Sequence, residues 1–364
     1  MSWLSVSPIL AVLMREFRVS HYEGGLLASG SLILSPLGIL SGFLCDRYGA
    51  RKMVVILGIL QFIPSFLSGL AESYNSMLAL RVMVGIAPGV FVAATKLIAD
   101  LFPAEQMGTA QGVVGGAIPG GVFLVSLVMP ALTINFGWRA AFFTTAIPLL
   151  VFVLLTPFLI KPYGYRGNPA SMIGSLAICL RSWQVWILCL VNIVTFGTAV
   201  AFIAWFPTFF NEVYQLSLSS AGLLTSVIFG IGVVSRPMGG MFGDRWGMKR
   251  SLMLSLSFLT VSYIILSVIS AFEGALVSAL LAAWFFSFGT GPLYALAPLL
   301  FPQHAGAVFG LMASMSALGG FILPPVFGAL IDITQSYNLG FTLLAFVSLI
   351  GTVISYRIRT PSKS

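Results

Sequence analysis

The sequence predicts an all-α polytopic membrane protein, and three observations carry that prediction. Of the 364 residues, 58% are hydrophobic and 8% are charged; the mean hydropathy is +1.02; and apolar runs of roughly 18 to 25 residues recur along the chain. A soluble domain carries about 25% charged residues to cover its surface, so this composition excludes a water-soluble fold. Disorder needs low hydrophobicity and high charge, and is excluded too. In lipid every backbone polar group must be satisfied internally, which leaves helices or closed barrels. Runs of this length suit helices, whereas barrel strands are shorter and alternate.

Apolar runs between polar breaks place spans at 24–44, 53–71, 77–100, 107–132 and 138–160, then at 184–210, 220–242, 251–270, 274–300, 304–331 and 338–356. The opening run from Ser2 to Met14 is too short for about 30 Å of hydrocarbon. It is followed by Arg15-Glu16-Phe17-Arg18 and not by a small-residue cleavage site, so it reads as the outer half of a first helix whose beginning is missing, or as a short re-entrant helix.

Orientation follows from Lys and Arg. One set of loops and the tail hold Arg47, Arg51, Lys52, Lys161, Arg166, Arg181, Arg245, Lys249, Arg250, Arg357, Arg359 and Lys363; the other side holds only Arg15, Arg18 and Arg139. The first set is therefore expected to face the cytoplasm, with both termini on that side of the plasma membrane. The net charge of +8 is scattered among these loops, which fits the positive-inside rule better than a nucleic-acid-binding face. Cys45, Cys179 and Cys189 lie in or beside apolar segments without metal spacing, so no metal, cofactor or disulfide is expected.

The chain repeats itself. Gly42-Phe-Leu-Cys-Asp46-Arg47-Tyr-Gly49-Ala-Arg51-Lys52 recurs 198 residues later as Gly240-Met-Phe-Gly-Asp244-Arg245-Trp-Gly247-Met-Lys249-Arg250. Gly108, Gly112 and Gly121 map by the same offset to Gly306, Gly310 and Gly319. Both copies sit on the basic side, so the repeats are parallel. The expected division is 1–160, a polar connector 161–183, and 184–364.

The G-x-x-x-D-R-x-G-x-R/K-K/R pattern, present twice, resembles the loop signature of the major facilitator superfamily. Arg81-Val-Met-Val-Gly85-Ile-Ala-Pro-Gly89, Asp100-Leu-Phe-Pro103 and Gly137-Trp138-Arg139 also stand where that family has them. The resemblance implies twelve helices in two six-helix bundles around a central cavity, here with the first helix truncated, acting by rocker-switch alternating access on a small solute. It implies gating roles for Gly42, Asp46, Arg47, Gly49, Arg51, Asp100, Gly240, Asp244, Arg245 and Gly247: Arg47 or Arg51 paired with Asp100 on the cytoplasmic side, and Gly49 in the tight turn. The alternative is that these charges only fix topology.

A charge inside a transmembrane helix costs at least about 2.5–3.5 kcal/mol on insertion scales, so each needs a reason. Arg236 lies eight residues before Asp244, about 12 Å from the basic end of its helix. A guanidinium there would hold a small anion by its fork, or else bond backbone carbonyls. Arg236-Pro-Met-Gly-Gly240 resembles the nitrate/nitrite porter branch of the superfamily. So do two glycine-rich spans, one with Gly112, Gly115, Gly116, Gly120 and Gly121, the other with Gly306, Gly310, Gly319 and Gly320. That branch clamps its anion with an arginine from each half, and here the counterpart of Arg236 is Gly38. A larger organic anion therefore stays open as substrate.

Arg81 reads as a packing residue more readily than a ligand, and Lys96 as a side chain that snorkels to the surface. Asn192, Thr195 and Tyr294 are polar groups at cavity depth, serving interhelical hydrogen bonds or the ligand. Gly115, Gly116, Gly120, Gly121, Gly319 and Gly320 read as close-packing glycines that also let their helices slide. All ten acidic residues fall in loops or at helix ends, and His21 and His304 are not mid-membrane. Direct carboxylate-coupled symport is thus not expected. The reading is a monomeric anion transporter in a bilayer; the alternative is an exporter of drugs or other amphipathic or neutral solutes. A membrane enzyme would need paired Asp, a Ser/His pair or a metal cluster within the membrane, and the sequence offers none.

Overall fold

The computed structural model describes residues 5–34, 40–41, 44–45, 48–85, 89–94, 97, 107–160, 177, 179–301 and 305–359, and every regular element among them is a helix. A 3₁₀ turn at Ser7–Ile9 leads into α1 (Leu10–Phe17), which Arg18 ends in a left-handed conformation. Helix α2 (His21–Ser29) starts at a capping box, in which Ser20 Oγ accepts the Glu23 N–H and the Glu23 carboxylate accepts the Ser20 N–H. Helix α3 (Ala50–Leu67) and α4 (Tyr74–Val84) follow, the latter capped by Ser73. The expected spans 24–44 and 77–100 are helical over most of their described residues, with turns at 33–34 and 85, and both run partly over residues outside the description.

Helix α5 (Met107–Leu159) holds two of the expected spans, 107–132 and 138–160, as two limbs. The sequence suggested two spans with a gap at 133–137, yet helical geometry continues through the gap and only Gly137 leaves it, at φ 82° and ψ 157°. Its apolar part, Gly116–Leu159, has 44 residues. At 1.5 Å per residue that is about 66 Å, twice the hydrocarbon thickness. The chain therefore turns back at one glycine, whose missing Cβ permits the left-handed φ. Packing confirms the reversal: the second limb runs antiparallel to α3, with Phe143 beside Gly69, Val153 beside Gly58 and Pro157 beside Arg51.

The rest comprises α6 (Trp183–Val213), α7 (Leu218–Gly230), α8 (Gly232–Trp246), α9 (Met248–Val268), α10 (Phe272–Leu300), α11 (Ala305–Thr334) and α12 (Asn338–Ser355). The expected span 220–242 is α7 and α8 together, bent at Ile231 between two glycines, a common site for a kink. Nine stretches among the described residues are long and apolar enough to cross a membrane. Large exposed side chains such as Phe136, Phe158 and Phe346 lie where lipid takes the place of a protein partner.

Helix α6 is the most buried span and packs along α11. Helices α9, α10 and α12 group together, as do α3 and the second limb of α5. The first copy of the repeat meets the second most extensively where α2 packs on α11 and the first limb of α5 on α7. Arg51, Lys52, Arg245, Lys249 and Arg250 stand at one end of the molecule, and Glu16, Glu72, Glu212, Glu273 and Asp332 at the other.

The 198-residue repeat is visible in the backbone. Gly49 and Gly247, at the starts of α3 and α9, share a positive φ of 88° and 98°. Two residues on, Arg51 Nη2 donates to the Pro157 carbonyl at 2.7 Å and Lys249 Nζ to the Tyr356 carbonyl at 2.8 Å. Each cation thus caps the carbonyl end of the neighbouring helix, where the macrodipole is negative. Arg51→Gln and Lys249→Gln should each cost about 0.3–1 kcal/mol. Being far apart, they should add in the double mutant. Thermal melts of the three variants check this; a double mutant no worse than either single one counts against two independent caps.

Candidate functional site

Three polar side chains converge from three helices. Asn192 on α6 is buried, and its Nδ2 donates to the Met312 carbonyl at 3.0 Å and to Tyr294 Oη at 3.4 Å. Tyr294 on α10 stacks on Phe309, with centroids 5.9 Å apart and planes at 18°. Because its oxygen accepts from Asn192, the phenolic hydrogen is left to donate elsewhere. Arg236 on α8 is half-buried and close enough to Tyr294 to interact with it electrostatically. Gly291 makes this approach feasible, since a Cβ there would lie 2.9 Å from the Arg236 carbonyl. The constellation offers hydrogen-bond donors and one positive charge, which suits an oxyanion.

Open space lies beside several glycines of α5, α8 and α11. A Cβ added at Gly116, Gly120, Gly240 or Gly310 would meet nothing within 4 Å. A cavity of about 420 Å³ lies between α5 and α7–α8, lined by Gly120, Phe123, Val227, Gly230 and Val233. Val233 is one turn from Arg236 on the same face of α8. Gly116 and Gly120 thus have no close neighbour where a Cβ would stand. Gly319 and Gly320 do pack: Gly197 would place a Cβ 2.8 Å from the Gly319 carbonyl carbon, and Gly320 would place one against Leu32. Gly121 is buried, and nothing is described of the Gly115 surroundings.

The other expected residues separate into three groups. Arg81 is wholly buried, and its Nη1 lies 3.5 Å from Ser5 Oγ, so it faces the interior of the first copy and not the cavity. Thr195 bonds back to the Val191 carbonyl of its own helix. Arg51 bonds the Pro157 carbonyl, while Asp244 and Arg245 are exposed at the end of α8. Gly42, Asp46, Arg47, Lys96 and Asp100 lie outside the described residues.

At the acidic end the two copies meet tightly. Gly25 on α2 faces α11 so closely that a Cβ would lie 2.6 Å from the Pro324 carbonyl, and a Cβ at Gly328 would overlap the His21 carbonyl. Trp205 donates its indole N–H to the Pro324 carbonyl at 2.8 Å and stacks on Phe327. His21 lies between two carboxylates, with Nδ1 2.9 Å from Asp332 and Nε2 3.2 Å from Glu212. This trio was missed in the sequence, where the acids counted only as loop or helix-end residues. A signal did exist: Glu212 and Asp332 stand in the last turns of α6 and α11, where a carboxylate opposes the macrodipole and needs a partner.

Comparison with known proteins agrees with this architecture. The family model described as Major Facilitator Superfamily matches residues 1–324. A "Nitrite extrusion protein" of Bacillus subtilis (strain 168) is 30% identical over 359 residues, covering 97% of this chain and 89% of the relative. A "Probable nitrate transporter NarT" of Staphylococcus epidermidis is 26% identical over 369 residues, covering 100% and 94%. Among solved structures, a D-xylose-proton symporter superimposes with a TM-score of 0.82 at 18% identity, over 100% of this chain and 95% of the other, which speaks to the fold alone.

Proposed function

The chain belongs to the Major Facilitator Superfamily, and from that premise we propose that this secondary transporter carries nitrate and nitrite, bound at Arg236 and Tyr294, by alternating access. The observation that carries the reading is the convergence of Tyr294, held by Asn192, with the positive charge of Arg236. A planar oxyanion accepts two parallel bonds from a guanidinium fork. Relatives named for nitrate and nitrite support the substrate class.

In this reading Asn192 positions Tyr294, and Arg236 neutralises the anion. The two copies, 1–160 and 184–364, are the bodies that rock. The basic end faces the cytoplasm and the acidic end faces outward, on the positive-inside rule. The loop residues Gly49, Arg51, Gly247 and Lys249 keep each copy rigid, while Asp46, Arg47, Asp100, Asp244 and Arg245 act between copies.

The test is a thermal melt of the purified protein with nitrate, nitrite, small carboxylates, and cationic and neutral solutes. A ligand at 100 times its dissociation constant adds about 2.7 kcal/mol to the folded state, visible as a higher melting temperature. Stabilisation by nitrate and nitrite above the carboxylates is expected. Stabilisation by cationic or neutral amphipaths alone would favour the exporter reading and refute the anion site.

A further inference from the structure

His21, Glu212 and Asp332 come from α2, α6 and α11, and 191 and 311 residues separate His21 from its two partners. Both imidazole nitrogens face carboxylate oxygens. A neutral imidazole has one N–H, so its other nitrogen would present a lone pair to a carboxylate. The arrangement therefore holds one proton more than a neutral imidazole and two carboxylates bring, whichever of the three carries it. Nor do other groups supply that proton. Asp332 accepts the backbone N–H groups of His21 and Tyr22 at 3.0 and 2.8 Å, and Glu212 accepts the Tyr337 hydroxyl at 2.7 Å. Both carboxylates are thus held in their acceptor form.

We propose that this trio is a proton-binding latch that holds the acidic mouth shut. With the proton bound, a cation sits between two anions and ties the start of α2 to the ends of α6 and α11. Without it, two carboxylates flank a ring that satisfies only one of them. The surrounding groups hold Glu212 as a carboxylate, since Arg15 on α1 acts on it and Tyr337 donates to it, while Tyr74 donates to the Glu23 carbonyl at the start of α2. Burial by itself lowers the His21 pKa, but hydrogen bonds and charge from Glu212 and Asp332 outweigh it, and the net shift is upward. A group with a raised pKa stabilises the closed state fully below its open-state value, about 6.5, and that support fades as pH rises through the closed-state value. Acid thus favours the mouth closed and alkali favours it open. The proton enters and leaves from the same side, so it sets which way the protein faces without energising transport.

Spin labels at exposed Asn75 and Leu339, one in each copy at the acidic end, report the opening of the full chain without substrate, so the latch can fail independently of the anion reading. Between about pH 5.5 and about pH 8.5 the wild type should shift from a short to a longer distance. Between the open-state and closed-state values, the closed-to-open ratio should fall by up to about tenfold per pH unit. His21→Gln should remove the pH response, and His21→Arg should hold the short distance at both pH values. Glu212→Gln, which keeps the shape of the acceptor for Tyr337, should move the midpoint to lower pH even if His21→Gln folds poorly. A wild type with no pH response, His21→Gln with the wild-type response, or Glu212→Gln with an unchanged midpoint would each overturn the latch.

Discussion

Arg236→Ala is expected to abolish nitrate-dependent stabilisation and reduce nitrate uptake into vesicles by about 10- to 150-fold, each charge-assisted bond of the guanidinium being worth about 1.5–3 kcal/mol. Arg236→Lys should recover part of the loss, because it keeps the charge and gives up the planar fork. Tyr294→Phe should weaken binding less, since it removes one neutral donor and leaves the stack on Phe309 in place. The order wild type, Tyr294→Phe, Arg236→Lys, Arg236→Ala is the diagnostic result. Unimpaired nitrate uptake by a well-folded Arg236→Ala would move the anion site elsewhere.

Gly328→Val should be the other severe change, for a reason unrelated to substrate chemistry. Its Cβ would overlap the His21 carbonyl and crowd Trp205 at the joint between α2 and α11. Backbone cannot rotate away as a side chain can, so overpacking of about 1–3 kcal/mol falls on the closed mouth. Such a cost lowers the closed population by roughly 5- to 150-fold relative to the open one. Transport should fall because the protein can no longer complete a cycle, while anion binding at Arg236 remains measurable. Gly310→Ala is the control, since a Cβ there meets nothing within 4 Å. Equal closure in Gly328→Val and the control would show that this joint does not govern the mouth.

The fold class was legible because lipid imposes a composition, and the repeat was legible because one 198-residue offset linked Gly49 with Gly247 and Arg51 with Lys249. Arg236 stood out for its cost in a membrane helix. The function of the glycines was not legible in that way. Gly120 faces open space and Gly319 packs against Ile193 and Gly197, although both belong to glycine-rich runs of corresponding spans. A glycine records only that a side chain is missing; what occupies the space depends on the approaching helix. The His21 trio was hidden for a related reason. Its members are 191 and 311 residues apart, and only the folded chain brings them within 3.2 Å. Asn192 stood out as polar, but its bonds to Met312 and Tyr294 make it the support of the site.

The turn at Gly137 has a consequence for biogenesis. Two crossings separated by one residue leave no hydrophilic loop to be dragged through the bilayer, and neither limb can stop in the membrane before the other is committed. The two limbs thus reach the insertion machinery as one continuous stretch of 44 residues with the form of a helical hairpin. Phe136 and Arg139 are exposed beside the tip, an aromatic ring and a cation suited to the headgroup layer, while Trp138 turns inward onto Phe17 and Phe142. Lengthening this turn would separate the two limbs in time as they are delivered to the membrane.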